Sequence, residues 1–212
     1  MARNLEAKCK LCRRAGEKLF IKGERCDSPK CAMVKRPYAP GAHGASQQRK
    51  SGSSEFGRQL AKKQKIKRIF GVSEEQLKKH LLDAKKKAGS ASENLLVRLE
   101  MRFDNVVYRL GMAQSRSQAR QLVGHSQLLR NDKVLNIPSA ILKIGDKISI
   151  KDSKAQKNYF QNLKVQMKKG RKTPQWLSFD LEKMEGKVVS SPAQGELSVM
   201  GGAQEIVEFY SR

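Results

Sequence analysis

Apolar positions recur with helical spacing most clearly in the middle of the chain. Within residues 102–110, Phe103, Val106, Val107 and Leu110 fall at i, i+3, i+4 and i+7, which predicts a helix with one buried stripe. Gly111, Met112, Ala113 and Gln114 make a tight connection. Ser115 to Gln118 is the S-x-x-Q pattern of a capping box, in which serine oxygen and glutamine side chain each satisfy an orphan backbone N–H. Ala119, Leu122 and Val123 give a second helix its inward side. Arg116 and Arg120 share another face at i and i+4, and Gly124 suits the C-terminal stop. Residues 128–130 and 134–137 then flank Asn131 and Asp132, a hairpin-type turn pair, and residues 147–150 alternate as a strand.

The same patterning extends outward. Residues 55–70 form a helix with Ser54 as N-cap, Phe56, Leu60, Ile66, Ile69 and Phe70 on its apolar side, and Gly71 as its stop. Ser73 and Gln76 make a second capping box, opening a helix with Leu77, Leu81, Ala84 and Ala88 inward. Lys85, Lys86 and Lys87 near its end favour the helix dipole. After a break at 89–92, residues 93–100 make a short helix with Leu95, Leu96 and Leu99 inward. Past Ile150 the period fades. Residues 159–167 read as helical, 168–172 as a basic loop, 176–179 and 187–189 as strands, and 195–202 as loop; 203–212 fits helix or strand. Residues 37–54 carry Pro37, Pro40, Gly41, Gly44 and Gly52 without periodicity, a loop or linker.

Charge narrows the function. Lys plus Arg number 44 against 20 Asp plus Glu, a net +24 over 212 residues. Such an excess points to a polyanionic partner, nucleic acid first and an anionic membrane second. Hydrophobic content is 38%, yet it is periodic, so folded domains with basic faces are expected rather than a basic tail. No run approaches the ~18 apolar residues of a membrane-spanning helix. The opening MARNLEAK lacks the apolar stretch of a signal peptide, so a cytosolic protein with reduced thiols is expected.

Four cysteines, Cys9, Cys12, Cys26 and Cys31, follow C-x2-C, thirteen residues, then C-x4-C. Two close pairs across a loop can bring four thiolates to one tetrahedral Zn²⁺. Two disulfides or unrelated thiols are the alternatives. A reducing compartment argues against the first, and clustering within 31 residues against the second. The site reads as closed and structural, with one ion. The segment has few large apolar residues, chiefly Leu11, Leu19, Phe20 and Ile21. Zinc would supply the folding free energy that they cannot, about 10–16 kcal/mol apparent in isolated finger peptides. A redox role for Cys9 and Cys12 lacks the βαβ context that motif needs.

Candidate RNA contacts follow from the basic faces. Arg13, Arg14, Lys22 and Arg36 surround the cysteines and leave charge over for phosphates. Arg49 and Lys50 keep the linker basic; Arg58, Lys62 and Lys65 line the helix over 55–70; Arg102 and Arg109 belong to the first central helix. The capped start of the next helix offers free N–H groups and a positive dipole end to a phosphate. Ser115, Arg116, Ser117, Gln118, Arg120 and Gln121 add donors there, and His125 follows. Few aromatics accompany these residues, so base-stacking platforms are not expected. The bland alternative is a set of solvated helix faces.

RFDNVVYRLGMAQSRSQARQLV resembles the small RNA-binding module named after the fourth protein of the small ribosomal subunit. The cysteine set, RPYAPGAHG, KKQKIKRIFGVSEEQLKKHL, TPQWLSFD, MEGKVV and EIVEFYSR occur in the order found in the bacterial ribosomal small-subunit protein four family, in its cysteine-containing, zinc-binding form. The likeness runs nearly end to end. It implies a structural constituent of the small subunit that binds small-subunit rRNA early in assembly, at a multi-helix junction. It implies a place beside small-subunit protein five, near the path by which messenger RNA enters, and a contribution to translational accuracy. It implies no membrane or small-molecule partner, and a cytoplasmic location in the small subunit. The implied fold class is α+β. A zinc-binding segment covers 1–45, an α-helical domain covers 46–92 and is rejoined by 199–212, and an RNA-binding domain covers 93–198. That last domain has helices on an antiparallel sheet and its αα-turn-β module at about 99–160. The C-terminal stretch would then be a helix on the helical domain.

Two positions depart from the family pattern. His125-Ser126 stands where His-Gly is usual, and Asn131-Asp132 where Asn-Gly is usual, which puts non-glycine residues where a positive φ is expected. A sequence-specific regulator could use the same helix pair as a helix-turn-helix. An RNA-modifying enzyme would need a catalytic domain. The residues after Ile150 carry neither a Gly-rich phosphate loop nor a nucleophile–base constellation, so no enzyme is expected.

Overall fold

The computed structural model describes residues 6–45, 54–167, 173–193, 195, 197 and 202–211. The fold is α+β. The chain divides into two compact units, Met1–Leu96 with Val199–Arg212, and Val97–Ser198.

In the first unit, α1 (Lys8–Ala15) forms where the cysteine spacing masked helical character, and it ends at a left-handed Gly16 with φ 74°. A 3₁₀ turn (Gly23–Cys26) and α2 (Ala32–Lys35) adjoin the later cysteines. Helix α3 (Glu55–Phe70) begins where Gly57 N–H donates to Ser54 Oγ at 3.2 Å, and ends at left-handed Gly71. Helix α4 (Glu74–Lys85) has the complete capping box: Gln76 N–H donates to Ser73 Oγ, and Ser73 N–H to Gln76 Oε1. Helix α5 (Ala91–Glu100) follows. Ile66, Phe70, Leu77, Leu81, Ala84 and Leu95 are buried, whereas Ala88 is exposed.

The inward side of α3 is the expected one only in its second half. Gln59 and Lys63 are buried with Ile66 and Phe70, while Phe56 is 52% exposed. The reason is α10 (Ala203–Phe209), the C-terminal helix, which packs along α3. Lys63 Nζ lies 4.1 Å from the Phe209 ring centroid and 2.6 Å from Glu74 Oε1. Tyr210 OH donates to the same oxygen at 2.6 Å. Residues 203–209, compatible with helix or strand by pattern, are therefore a helix, as the family resemblance implied.

The second unit has a five-stranded antiparallel sheet in the order β2-β1-β3-β5-β4. The strands are β1 (Leu128–Arg130), β2 (Lys133–Val134), β3 (Lys147–Ile150), β4 (Leu177–Asp180) and β5 (Glu185–Val188). Its helices are α6 (Phe103–Arg109), α7 (Arg116–Gly124), α8 (Asp152–Ala155) and α9 (Asn158–Met167). Phe103, Val106, Val107, Leu110, Ala119, Leu122 and Val123 join Leu128, Ile148, Val188 and Phe160 in one core. At Gly186 on β5 a Cβ would collide with the side chain of buried Leu110, so the strand can approach α6 only without a side chain there.

Several local expectations change. Strand β2 covers two residues, and 135–137 leave the sheet; α8 forms where no period was visible; Gly195 and Leu197 are helical within the expected loop. Gly124 stays inside α7, and the left-handed position falls on Ser126, φ 53°. Asn131 and Asp132 have φ 48° and 62°, the two left-handed positions of a type I′ hairpin. The basic loop over 168–172, with Arg49 and Lys50, lies outside the described residues. Among the described residues no helix is long and apolar enough to cross a membrane.

Candidate nucleic-acid interface

The pair α6 and α7 is organised by two buried carboxylates. Glu100, at the end of α5, receives Arg109 Nε at 2.9 Å and Nη2 at 2.7 Å, one on each oxygen. Asn105 Nδ2 donates to Glu100 Oε2 at 2.7 Å and to its backbone oxygen at 2.8 Å. The other end of that amide, Oδ1, accepts from Arg116 Nε at 2.8 Å, and the Arg116 guanidinium lies 4.6 Å over the Tyr108 ring. Asp104 accepts from Arg102 Nε and Nη2 at 3.1 and 2.8 Å, and from Arg120 Nη1 at 3.5 Å. Arg102, Arg109 and Arg120 thus share two carboxylates while Arg116 rests on the Asn105 amide, leaving the cluster net positive. Burial pulls the pKa of Arg116 down, with Glu100 acting in the opposite direction.

The start of α7 is capped differently from expectation. Gln118 N–H donates to Ser115 Oγ at 3.3 Å, but Gln118 Oε1 accepts from Gln114 N–H at 2.8 Å instead of from Ser115. The box closes one residue earlier. Ser115, Arg116, Ser117, Gln118 and Arg120 are half-buried there, and Gln121 and His125 are exposed.

One predicted contact needs correction. Arg102 is 1% exposed and holds Asp104 in the interior, so it is a core ion-pair residue and not a surface contact. Arg13, half-buried, donates to the carbonyls of Tyr38 and Ala39 at 2.9 and 3.1 Å and stacks on the Tyr38 ring, which fastens the loop that follows α2. Arg14, Lys22, Arg36, Arg58 and Lys62 are exposed, and Lys65 is bonded to Glu17 at 2.9 Å. These belong to the first unit, whereas the α6–α7 cluster belongs to the second. Sequence reading overlooked Glu100, Asp104, Asn105 and Tyr108. The signal was the Asp104-Asn105 pair set directly between the apolar stripe residues Phe103 and Val106.

All four cysteines are free thiols lining one small pocket, three of them buried. Lys22 N–H donates to Cys26 Sγ at 3.4 Å. Burial pushes the Cys12 thiol pKa up, and the other three cysteines act in the same direction. Among the described residues no group of three or more His, Cys, Asp or Glu side chains is arranged to hold a metal ion.

Comparison with known proteins places this geometry. The model of the ribosomal protein S4/S9 N-terminal domain matches residues 3–100, and that of the S4 domain matches residues 101–148. Proteins named small ribosomal subunit protein uS4 from Syntrophomonas wolfei and Acetivibrio thermocellus are each 47% identical to this chain over 100% of both partners. The same identity and coverage hold for small ribosomal subunit protein uS4A from Alkaliphilus oremlandii.

Proposed function

Because the chain belongs to the ribosomal protein uS4 family, we propose that it is a structural, non-enzymatic constituent of the small ribosomal subunit that binds small-subunit rRNA directly. The observation that carries this reading is the α6–α7 cluster, where Arg102, Arg109 and Arg120 share the Glu100 and Asp104 carboxylates and Arg116 adds a fourth guanidinium on the Asn105 amide, beside a capped helix start. Such a cluster is held rigid before binding, and phosphate oxygens complete its charge balance. Arg109, Arg116 and Arg120, with Ser115, Ser117, Gln118, Gln121 and His125, form this contact. Arg14, Lys22, Arg36, Arg58, Lys62 and Lys65 form a second basic face, to which Arg49 and Lys50 belong by sequence. RNA is engaged through backbone, 2′-OH groups and unpaired bases. A sequence-specific regulator has no observation in its favour beyond the helix pair itself.

The finer role follows the family resemblance. The protein enters assembly early, at a multi-helix junction of rRNA. It adjoins small-subunit protein five, borders the incoming messenger RNA and influences accuracy, all in the cytoplasm. Residues 1–45 act as a zinc-binding segment, 46–92 with 199–212 as the helical domain, and 93–198 as the RNA-binding domain. A structural zinc ion held by Cys9, Cys12, Cys26 and Cys31 is supported by their C-x2-C and C-x4-C spacing and by the one small pocket that all four line, although their side chains do not stand as a metal cluster in this structure. Zinc there would contribute folding free energy to a segment with little core.

Binding to a small-subunit rRNA fragment across a salt series tests the reading. Arg116→Ala with Arg120→Ala should weaken binding and lower the salt slope by up to about two units. An unchanged slope removes these residues from the interface. Wild-type protein that ignores rRNA at moderate salt overturns the proposal.

A further inference from the structure

Helix α3 has a second face that its core side does not use. Gly57, Leu60, Ala61, Gln64, Lys65 and Arg68 recur at i, i+3, i+4, i+7, i+8 and i+11, one stripe of the helix. Opposite stand Arg14 and Ala15 at the end of α1, and Glu17 just beyond it. Between them lies a cleft of about 370 Å³. Lys65 Nζ reaches Glu17 Oε2 at 2.9 Å and ties the two walls together.

The chemistry of the lining is mixed. Gly57 and Ala61 leave space because their side chains are short. Leu60 supplies an apolar surface, and the Gln64 amide can both donate and accept. Arg14, Lys62, Lys65 and Arg68 bring four cations; Lys65 is bonded to the lining carboxylate Glu17 and Lys62 lies 4.0 Å from Glu205, which leaves Arg14 and Arg68 for an anion. The volume falls within the roughly 300–1,000 Å³ of small-ligand sites. A bare phosphate would use the charge alone; the apolar wall and the amide suit a ligand with a planar, hydrogen-bonding part.

We infer that this cleft binds a phosphorylated nucleoside, with its phosphate held by Arg14 and Arg68, its base against Leu60 and Ala61, and the base edge read by Gln64. Two sources share this chemistry, an unpaired nucleotide splayed from RNA and a free nucleotide. In its RNA-borne form the inference rests on the rRNA reading above.

The test uses the full-length protein and the four nucleoside 5′-monophosphates, with inorganic pyrophosphate as the base-free probe, followed by amide NMR shifts. At least one monophosphate should shift Ala61 and Gln64 saturably and more tightly than pyrophosphate. Ala61→Phe fills the cleft, keeps every charge and sits at an exposed position, so it should abolish those shifts. Gln64→Leu, a second variant, should weaken the monophosphate at least threefold and leave pyrophosphate unchanged. No saturable monophosphate binding by wild type, or binding that both variants leave intact, overturns the pocket. The source is read from rRNA affinity: a fall of about tenfold in Ala61→Phe at unchanged salt slope identifies the RNA-borne nucleotide, and unchanged affinity identifies the free one. Failure of wild type to bind rRNA is a separate result that sinks the rRNA reading alone.

Discussion

At Arg102 a guanidinium lies in the interior because Asp104, two residues on, offers both carboxylate oxygens to it. An arginine in a chain of net +24 reads as surface, and the partner alone does not reveal burial. What covers Arg102 comes from far along the chain: it bridges to Ile141, and Phe103 N–H donates to Ala140 O. Arg102→Ala should destabilise the protein by about 3–5 kcal/mol, since it strips a buried carboxylate of its main partner; urea denaturation measures it. Lys63 was unreadable for the same reason, its aromatic neighbours lying on α10. Glu74 gives this spot a pH signature. Burial pushes its pKa up, but hydrogen bonds from Lys63, Tyr210 and Lys67 outweigh that and lower it from 4.5 to about 2. A depressed carboxylate contributes fully above its unfolded value, so this contribution fades as pH falls from 4.5 towards 2. Glu74→Gln should flatten the acid limb of the stability curve in that window, as followed by circular dichroism.

Elements were legible where their signals are local. Ser54, Ser73 and Ser115 each cap the helix that follows them, because capping involves residues within one turn. Helix α1 was not legible, since its apolar content is small and its cysteines were read for ligand spacing alone. The turns repay attention to φ. Ser126 and Asp132 hold left-handed conformations that cost an L-residue roughly 1–2 kcal/mol. Asn131 offsets its share, accepting from Lys147 N–H and donating to Asp146, each at 2.8 Å. Ser126→Gly should raise stability by about 0.5–1 kcal/mol, after the added entropy of glycine, by thermal melting. In strand β5 the sign reverses. Gly186→Ala should cost about 1–3 kcal/mol in the same assay, because the new methyl meets Leu110 in a packed core.

For the whole molecule, composition and motif order pointed to an α+β RNA-binding protein of the ribosome, because net charge and family words do not depend on tertiary detail. The arginine roles did depend on it: each of the four in the α6–α7 cluster has a protein partner, so Arg109, Arg116 and Arg120 stand as a pre-shaped array rather than as loose side chains, with Arg102 buried beneath. Metal is the other global variable. Gently purified protein should carry about one equivalent of zinc, and chelation should raise hydrogen exchange first in residues up to Arg36. Less than about half an equivalent by elemental analysis would count against the four-thiolate site.

The lodging of α10 against α3 has a consequence for synthesis. A ribosome delivers residues 97–198 before 203–209, so the sheet-bearing unit can close while the other still lacks a wall. Until residues 209 and 210 emerge, Lys63 lacks the Phe209 and Tyr210 rings and the first unit waits half-dressed for α10. The helical unit, begun before the sheet-bearing one, is therefore completed after it.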